Sequence, residues 1–375
     1  RAGDYAGTTT DARYATVGGG YSNAASAEAA TVGGGRHNSV TAPFGVVAGG
    51  GDTAALLGNK VTDEYGTVGG GRRNQAGDGG TVGDAPDATV SGGYINLASG
   101  EASTVGGGFN NIASGDWSTV SGGFHQRATG TYSAVAGGYR NQADGFASTV
   151  GGGLFNVAND FAATIAGGDG NVAGTFSGVG GGSLNSATGE YSTVPGGRSN
   201  SASGDHSFAA GRRAKVNAAH DGTFLFADQT NADFASAAAN EFAVRATGGA
   251  RFITNSGGTT GVTLAGGGSA WAAVSSKYLK ENYEDVDPVE LLEKVAAMPI
   301  QKWNYIGNDD SIKHIGPYAE DFHAAFELNG EFDGRITTQD LDGVALAAIQ
   351  GLYAKVQELQ QKLADMEARL NENQH

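Results

Sequence analysis

The sequence has no cysteine and only six prolines, and each shortage excludes a class of protein. Without cysteine there is no disulfide framework and no thiolate nucleophile or ligand. Glycine is abundant, at 65 of 375 residues, but a chain with so little proline and no three-residue period is not a collagen. Basic residues number 23 against 39 acidic ones, so the net charge is −16 and the surface repels nucleic-acid phosphates.

Long apolar runs are also missing. No stretch of about 18 apolar residues is present, so the sequence predicts no membrane span in this chain. The sequence begins at Arg1 rather than at methionine, and we expect a fragment or a processed product whose leader is not in view. The absence of cysteine suits a long-lived extracellular, cell-surface or virion protein.

Glycine clusters recur at a fixed spacing through the first half of the chain. The segments STVGGGFNNIASGDW (103–117) and STVSGGFHQRATGTY (118–132) align residue for residue, which sets a period of 15. Two insertions, at residues 52–65 and 77–87, stretch the period without ending it. Self-similarity at a fixed period is typical of solenoid proteins. The β-branched residues that mark it are Val17, Val32, Val47, Val90, Val105, Val120, Val135, Val150, Ile165, Val179 and Val194.

Each repeat predicts a flat coil of two short strands, because 15 residues are too few for a strand and a helix. Ser-Thr-Val favours β structure, Gly-Gly supplies a turn with positive φ, and Ala-Ser-Gly closes the second bend. An asparagine follows the marker by six residues, as Asn111 follows Val105. Asparagine tolerates the left-handed region and can hydrogen-bond its own turn, so we expect a ladder of stacked turns. About a dozen coils pairing in parallel at about 4.8 Å give a rod about 60 Å long.

Valine and alanine inside a narrow roll cannot supply a large core. The aromatic residues at the coil margins need burial elsewhere, and we expect them to pack against neighbouring chains in a bundle of rolls. They are Tyr94, Phe109, Trp117, Phe124, Tyr132 and Tyr139. Over residues 15–228 the repeats resemble the β-roll heads of trimeric surface adhesins, and this resemblance implies a homotrimer.

A connector rich in turn signals follows the repeats. Phe242-Ala243-Val244-Arg245 and Arg251-Phe252-Ile253-Thr254 predict a hairpin around Gly248-Gly249, with a second pair of strands around Gly257-Gly258. Interleaved strands of a trimeric stalk and a small independent β domain both fit this pattern.

From Lys277 onward glycine falls, charge rises and helical signals begin. A helix is predicted over residues 289–298, with Asp287 as its N-cap and Pro288 in its first turn. The C-terminal residues predict a coiled coil of about three heptads, because apolar side chains alternate at spacings of three and four. These are Ile349, Leu352, Val356, Leu359, Leu363, Met366 and Leu370.

Several short motifs occur in a fixed order between residues 275 and 352. Their residues are Ser275, Lys280, Glu281, Asn282, Trp303, His314, Gly316, Pro317, Asp321, Asp342 and Gly343. Together they resemble the intramolecular chaperone domain at the C-termini of phage endosialidases and other tail spikes, the S74 peptidase family. The resemblance implies a domain that assembles three chains, templates the preceding β-fibre and then cuts itself off.

The same resemblance implies catalytic roles at the start of the domain. Ser275 is the nucleophile, Lys280 the general base, and the bond between Val274 and Ser275 is the one cut. A serine hydroxyl is inert until a base removes its proton, and a lysine does so only where burial favours its neutral form. Ser276 departs from the aspartate usual in the family, and Lys277 adds a second positive charge nearby.

We therefore predict a mainly β protein with a β-roll of about 15-residue repeats over residues 1–220 and a β connector over 221–274. A small α+β chaperone domain (275–348) and a trimeric coiled coil (349–375) complete it.

The predicted function is a trimeric fibre or adhesin that cuts itself once in cis. Two alternatives stay open: an adhesin with an uncleaved trimerisation clamp, and a carbohydrate-active tail spike, for which the paired carboxylates are not evident. The predicted partners are two further copies of the chain and a cell-surface or glycan receptor, without nucleic acid. No cofactor and no metal are predicted.

Overall fold

The structure, a computed structural model, describes residues 12–54, 57–328, 330–331 and 334–372. Parts of the predicted roll (1–11 and, in its first insertion, 55–56), of the chaperone region (329, 332–333) and of the coiled coil (373–375) lie outside the described residues. The chain divides into two compact units, one up to Thr247 and one from Gly248 onward.

Two parallel sheets run along the first unit, and each coil adds one short strand to each sheet. Equivalent residues stack in register, as Thr104 pairs with Thr119 and Val105 with Val120. The predicted fold class, a parallel solenoid of about 15-residue turns, is confirmed. The first sheet contains Thr16–Val17, Thr31–Val32, Val46–Val47, Thr67–Val68, Thr89–Val90, Thr104–Val105, Thr119–Val120, Ala134–Val135, Thr149–Val150, Thr164–Ile165, Gly178–Val179, Thr193–Val194, Gly197–Arg198, Phe208–Arg212, Phe224–Ala227 and Phe242–Arg245. The second contains Ala24–Ala25, Ser39–Val40, Lys60–Val61, Gln75–Ala76, Leu97–Ala98, Ile112–Ala113, Arg127–Ala128, Gln142–Ala143, Val157–Ala158, Val172–Ala173, Ser186–Ala187, Ser201–Ala202, Ala214–Val216 and Phe234–Ala235.

The core of the roll is thin, because most coils bury one valine from the first sheet and one alanine from the second. Val105 and Ala113, for example, are fully buried. At Val40 and Val61, which stand where most coils have alanine, the facing corner is glycine: a Cβ on Gly45 would lie 2.7 Å from Cγ1 of both valines. Side-chain volume is thus balanced coil by coil, as close packing requires.

A ladder of buried asparagines runs through the turns between the two sheets. Asn111 donates through Nδ2 to the carbonyls of Gly107 (2.7 Å) and Gly123 (3.0 Å), and its backbone N–H donates to Oδ1 of Asn96 at 2.9 Å. Each asparagine therefore ties together its own coil, through its side chain, and both neighbouring coils, through its side chain and its backbone N–H. The predicted ladder and the hydrogen bond of asparagine to its own turn are present, but the ladder asparagine is not the left-handed residue. The left-handed residue is the one immediately before the asparagine, such as Asn110 with φ of 53°.

Glycine at the end of the Gly-Gly cluster is required by backbone crowding as well as by φ. Gly108 has φ of 89°, and a Cβ there would lie 2.2 Å from the carbonyl oxygen of Gly123 in the next coil. Any side chain at this position would push two coils apart.

The aromatic side chains stack on one another along the roll, which the sequence analysis did not anticipate. One column continues from Trp117 through Tyr132 to His206, with neighbouring ring centroids 5.0–5.4 Å apart. Its rings stay about half exposed, with Trp117 at 45% and Tyr132 at 52%. Stacking between coils thus buries part of the aromatic surface that was expected to pack against neighbouring chains.

The connector corrects one prediction. Phe242–Arg245 does not form a hairpin with the next strand; it pairs in parallel with Phe224–Ala227 and extends the roll. The antiparallel hairpin lies one turn later, between Gly249–Ile253 and Gly261–Ala265, around the predicted second turn at Gly257-Gly258. Ala272–Ala273 adds a third antiparallel strand.

The second unit also contains a short two-stranded sheet and three α-helices. Gln301–Trp303 pairs antiparallel with His314–Gly316. The helices are α1 (Pro288–Ala297), α2 (Ala319–Phe326) and α3 (Thr338–Glu372). Asp287 caps α1, as predicted, by accepting the N–H groups of Val289 and Glu290. Gly351 lets α3 approach α1 closely, because a Cβ there would lie 2.0 Å from the Pro288 carbonyl oxygen. No described helix is both long and apolar enough to span a membrane.

Candidate functional site

The Val274–Ser275 bond lies immediately after the last strand of the connector. That strand, Ala272–Ala273, pairs with Gly261–Ala265, and the N–H of Val274 donates to the carbonyl of Gly261 at 3.2 Å. The chain on the N-terminal side of the bond is thus held by a sheet, while the serine begins a new local structure.

That local structure is one turn of 3-10 helix, Lys277–Leu279. Ser276 is its N-cap, and its Oγ accepts the N–H of Tyr278 at 3.4 Å. Aspartate and serine are both preferred N-caps because each offers a side-chain oxygen at this position. Ser276 thus supplies the N-cap of this turn.

Lys280 is the C-cap residue of the same turn, and the turn brings it back to Ser275. Its Nζ lies 2.8 Å from Ser275 Oγ, with the ammonium donating. Both residues are exposed in the single chain. For Lys280 to act as a base, its ammonium must first lose the proton that it donates to Ser275 Oγ. The serine hydroxyl then becomes the donor and the neutral amine the acceptor. The second cation, Lys277, places its Nζ 5.2 Å from the centre of the Tyr278 ring.

Two residues after Lys280 fold the chain back over the turn. Asn282 is left-handed, with φ of 56°, a conformation that asparagine tolerates better than most residues. The next residue, Tyr283, then donates its hydroxyl hydrogen to the carbonyl of Lys277, with the carbonyl of Lys280 at 3.1 Å. The sequence singled out Asn282 only as a motif residue and gave no signal for Tyr283. The contact of the Tyr283 hydroxyl with the turn depends on the backbone reversal at Asn282, which the sequence does not reveal. Glu281, between them, is exposed.

The structure gathers a second group of motif residues on the two-stranded sheet. Trp303 is directly opposite His314, with ring centroids 4.9 Å apart, and Tyr305 packs against both. Gly316 ends the second strand, and Pro317 follows it toward α2. His314 is thus packed among aromatic rings.

The remaining motif residues are on helices. Asp321 is half-buried in the first turn of α2. Asp342 and Gly343 are exposed near the start of α3, and Gly343 lines an open groove of about 440 Å³ with residues such as Val286, Leu291 and Phe326.

The apolar side chains of the predicted coiled coil lie on one continuous helix, α3, and remain solvent-exposed in the single chain. Their exposed fractions range from 41% at Val356 to 64% at Leu359. A helix face of this kind is stable in water only when another surface covers it.

The two insertions bring three carboxylates together at the side of the roll. Oxygen atoms of Asp63, Asp78 and Asp84 lie within 4.8 Å of one another. The buried Asp63 already accepts the backbone N–H groups of Asp78 at 2.9 Å and Gly83 at 3.0 Å. Its contacts are those of a residue that fixes the insertion loop.

Comparison with known families identifies two segments. Residues 275–330 match the family described as chaperone of endosialidase, the S74 peptidases. Residues 103–115 match the ubiquitous surface protein adhesin repeat. Both resemblances seen in the sequence are thereby confirmed. No curated protein matched the chain.

Proposed function

We propose that the chain is the subunit of a homotrimeric fibre or adhesin whose C-terminal domain drives assembly and then cuts the bond between Val274 and Ser275. The observation that carries the proposal is the contact between Lys280 Nζ and Ser275 Oγ at the first residues of the matched chaperone segment. The adhesin-repeat match supports the display role of the roll.

The proposed cleavage proceeds in two balanced steps. Neutral Lys280 takes the proton from Ser275 Oγ, which attacks the carbonyl carbon of Val274 through a five-membered ring. The C–N bond then breaks, the proton passes to the leaving nitrogen, and Val274 is left as an ester on Ser275. Water hydrolyses this ester to give a fibre ending in the Val274 carboxylate and a chaperone beginning with Ser275.

Assembly supplies the control in this proposal. In the single chain Lys280 is exposed, so nothing in the lone chain desolvates its amine. Covering the site by neighbouring chains would favour the neutral amine. The exposed apolar face of α3 is the surface through which three copies would associate.

The test of cleavage is the intact mass of freshly expressed protein under denaturing conditions. Wild type splits into a piece ending at Val274 and a piece beginning at Ser275, whereas Ser275→Ala stays whole. Lys280→Met, which keeps the length of the side chain without its amine, stays whole as well. If wild type also stays whole while native mass shows trimers, the domain is an uncleaved clamp, the alternative kept open above.

The rest of the proposal concerns the released fibre. We assign the displayed roll to the predicted range 1–220 together with the strands up to Arg245 that extend its sheets, the connector to the rest of 221–274, the chaperone to 275–348 and the coiled coil to 349–375. The insertion loops at 52–65 and 77–87 are the recognition surface for a cell-surface or glycan receptor, because binding residues concentrate on loops held by a rigid scaffold. An extracellular, cell-surface or virion location follows from this role.

A further inference from the structure

The turn that carries the Ser275–Lys280 pair has little packing to hold its shape. Its residues are exposed, with Tyr278 at 86% and Leu279 at 52%. A single turn of 3-10 helix is short of hydrogen bonds, and its own closing bond, from the Lys280 N–H to the Lys277 carbonyl, is long at 3.4 Å. Something else must fix the direction of the Lys280 side chain if the contact with Ser275 is to persist.

The hydroxyl of Tyr283 provides this constraint. It reaches the carbonyls of both Lys277 and Lys280, the first and last residues of the turn, and so bridges the turn across its open side. Asn282 makes the bridge sterically feasible, since its left-handed backbone reverses the chain between Lys280 and Tyr283. Tyr283 as a residue is 71% exposed, so apolar burial contributes little to keeping its side chain there. The hydrogen bond is the main contact.

We infer that Tyr283 is a positioning residue for the proposed self-cleavage: its hydroxyl clamps the turn so that Lys280 Nζ stays within reach of Ser275 Oγ. This inference rests on the proposed function. Tyr283 acts on the pair indirectly, through the backbone carbonyls of Lys277 and Lys280. Its loss slows the reaction without removing any reacting group.

The experiment is a time course of cleavage in the full chain, followed by denatured intact mass across a range of pH. Tyr283→Phe removes only the hydroxyl, and its plateau rate falls about fivefold to tenfold, the value of one hydrogen bond. The pH midpoint of the rate stays where it is in wild type, because the base is unchanged. Tyr278→Phe is the matched control, a neighbouring exposed tyrosine in the same turn, and its rate equals that of wild type.

Two substitutions at Asn282 test the backbone half of the clamp. Asn282→Gly keeps the left-handed turn available and retains the wild-type rate within about twofold. Asn282→Val slows cleavage to the level of Tyr283→Phe or below, because a β-branched residue avoids positive φ. Trimer fractions are measured by native mass in the Ser275→Ala background, and they remain equal among all these variants.

The outcomes separate the positioning role of Tyr283 from the proposed self-cleavage on which it rests. If wild type cleaves and Tyr283→Phe cleaves equally fast, the clamp is wrong and the proposed function stands. If Tyr283→Phe is slow only because its trimer fraction drops, or if its pH midpoint shifts while the plateau holds, the positioning role is wrong. If wild type itself does not cleave, both are overturned.

Discussion

The asparagine ladder contains one defect, and correcting it should stabilise the roll. At the equivalent position of one coil stands Gln126, which is fully buried. Its backbone N–H donates to Oδ1 of Asn111 and its Oε1 accepts the N–H of Asn141, so the chain of contacts continues. Its Nε2, however, has no hydrogen-bond partner. We predict that Gln126→Asn restores donation to the carbonyls of Gly122 and Gly138, the counterparts of those bound by Asn111.

The magnitude follows from two opposing terms. Two recovered hydrogen bonds contribute about 0.5–1.5 kcal/mol each. The shorter side chain buries one CH2 fewer, a loss of about 0.8 kcal/mol. The net effect is a stabilisation of about 1 kcal/mol, or about 2–4 °C in Tm for a unit of this size.

Thermal unfolding and native-state hydrogen exchange together form the assay. A stack of coils need not unfold as one cooperative step, so the exchange of the Asn141 amide reports opening at the altered coil itself. That amide exchanges more slowly in Gln126→Asn. The matched control is Asn111→Gln, which creates the same defect one coil earlier and lowers Tm by a similar amount. A lower Tm for Gln126→Asn, or no change for Asn111→Gln, would refute the reasoning.

Two further predictions concern buried polar groups in the roll, and both are read from thermal unfolding. Ser133 Oγ is buried without a hydrogen-bond partner, so Ser133→Ala is neutral or stabilises the fold by up to about 1 kcal/mol. Ser177→Ala destabilises the fold by about 1–3 kcal/mol, because Ser177 Oγ accepts the Gly174 N–H and donates to backbone carbonyls. Equal effects of the two substitutions on stability would contradict this prediction. The backbone N–H of Ala54 and the guanidinium of Arg73 lower the pKa of Asp52 from 3.8 to about 2. Because the folded-state pKa lies below the ordinary value, Asp52 stabilises the fold above about pH 4 and this contribution disappears as the pH falls through about 2. Asp52→Asn therefore lowers Tm at pH 7 and converges with wild type near pH 2, and an offset that stays constant with pH would be inconsistent with that assignment.

The roll was predictable because its signal is local and repeated. Val105 and Val120 are 15 residues apart in the sequence and directly paired in the structure, so the period alone implied the register. The bonds that the asparagine ladder makes between coils were not predictable, although the bond of asparagine to its own turn was. Asn111 bonds to coils before and after its own, and such contacts exist only once the stack is formed.

The connector shows where local signals mislead. Gly248-Gly249 is a strong turn signal, and it suggested that Phe242–Arg245 belongs to a hairpin. In the folded chain that segment pairs with Phe224–Ala227 over four residues, because the last coil of the roll leaves a sheet edge that accepts it. Turn residues do not reveal such an edge, which depends on residues far away in the sequence.

At the candidate site, resemblance and geometry contributed different parts. The spacing of Ser275 and Lys280 alone would fit any exposed loop, and only the accompanying motifs singled the pair out. The structure adds the 2.8 Å contact between Lys280 Nζ and Ser275 Oγ, together with the residues around the pair that the motifs do not specify. Ser276 is the N-cap of the turn, and Tyr283 reaches the turn because Asn282 is left-handed.

The central claim is that assembly triggers the cut, and the dependence of cleavage on protein concentration tests it most directly. Denatured chains are refolded over a wide range of concentrations, and the Ser275 fragment is quantified by mass against time. If assembly triggers the cut, the rate of cleavage follows trimer formation and falls to zero at dilutions where native mass shows only monomers. Ser275→Ala yields no fragment at any concentration. Cleavage at equal rates in monomers and trimers, or intact trimers at all concentrations, would contradict it.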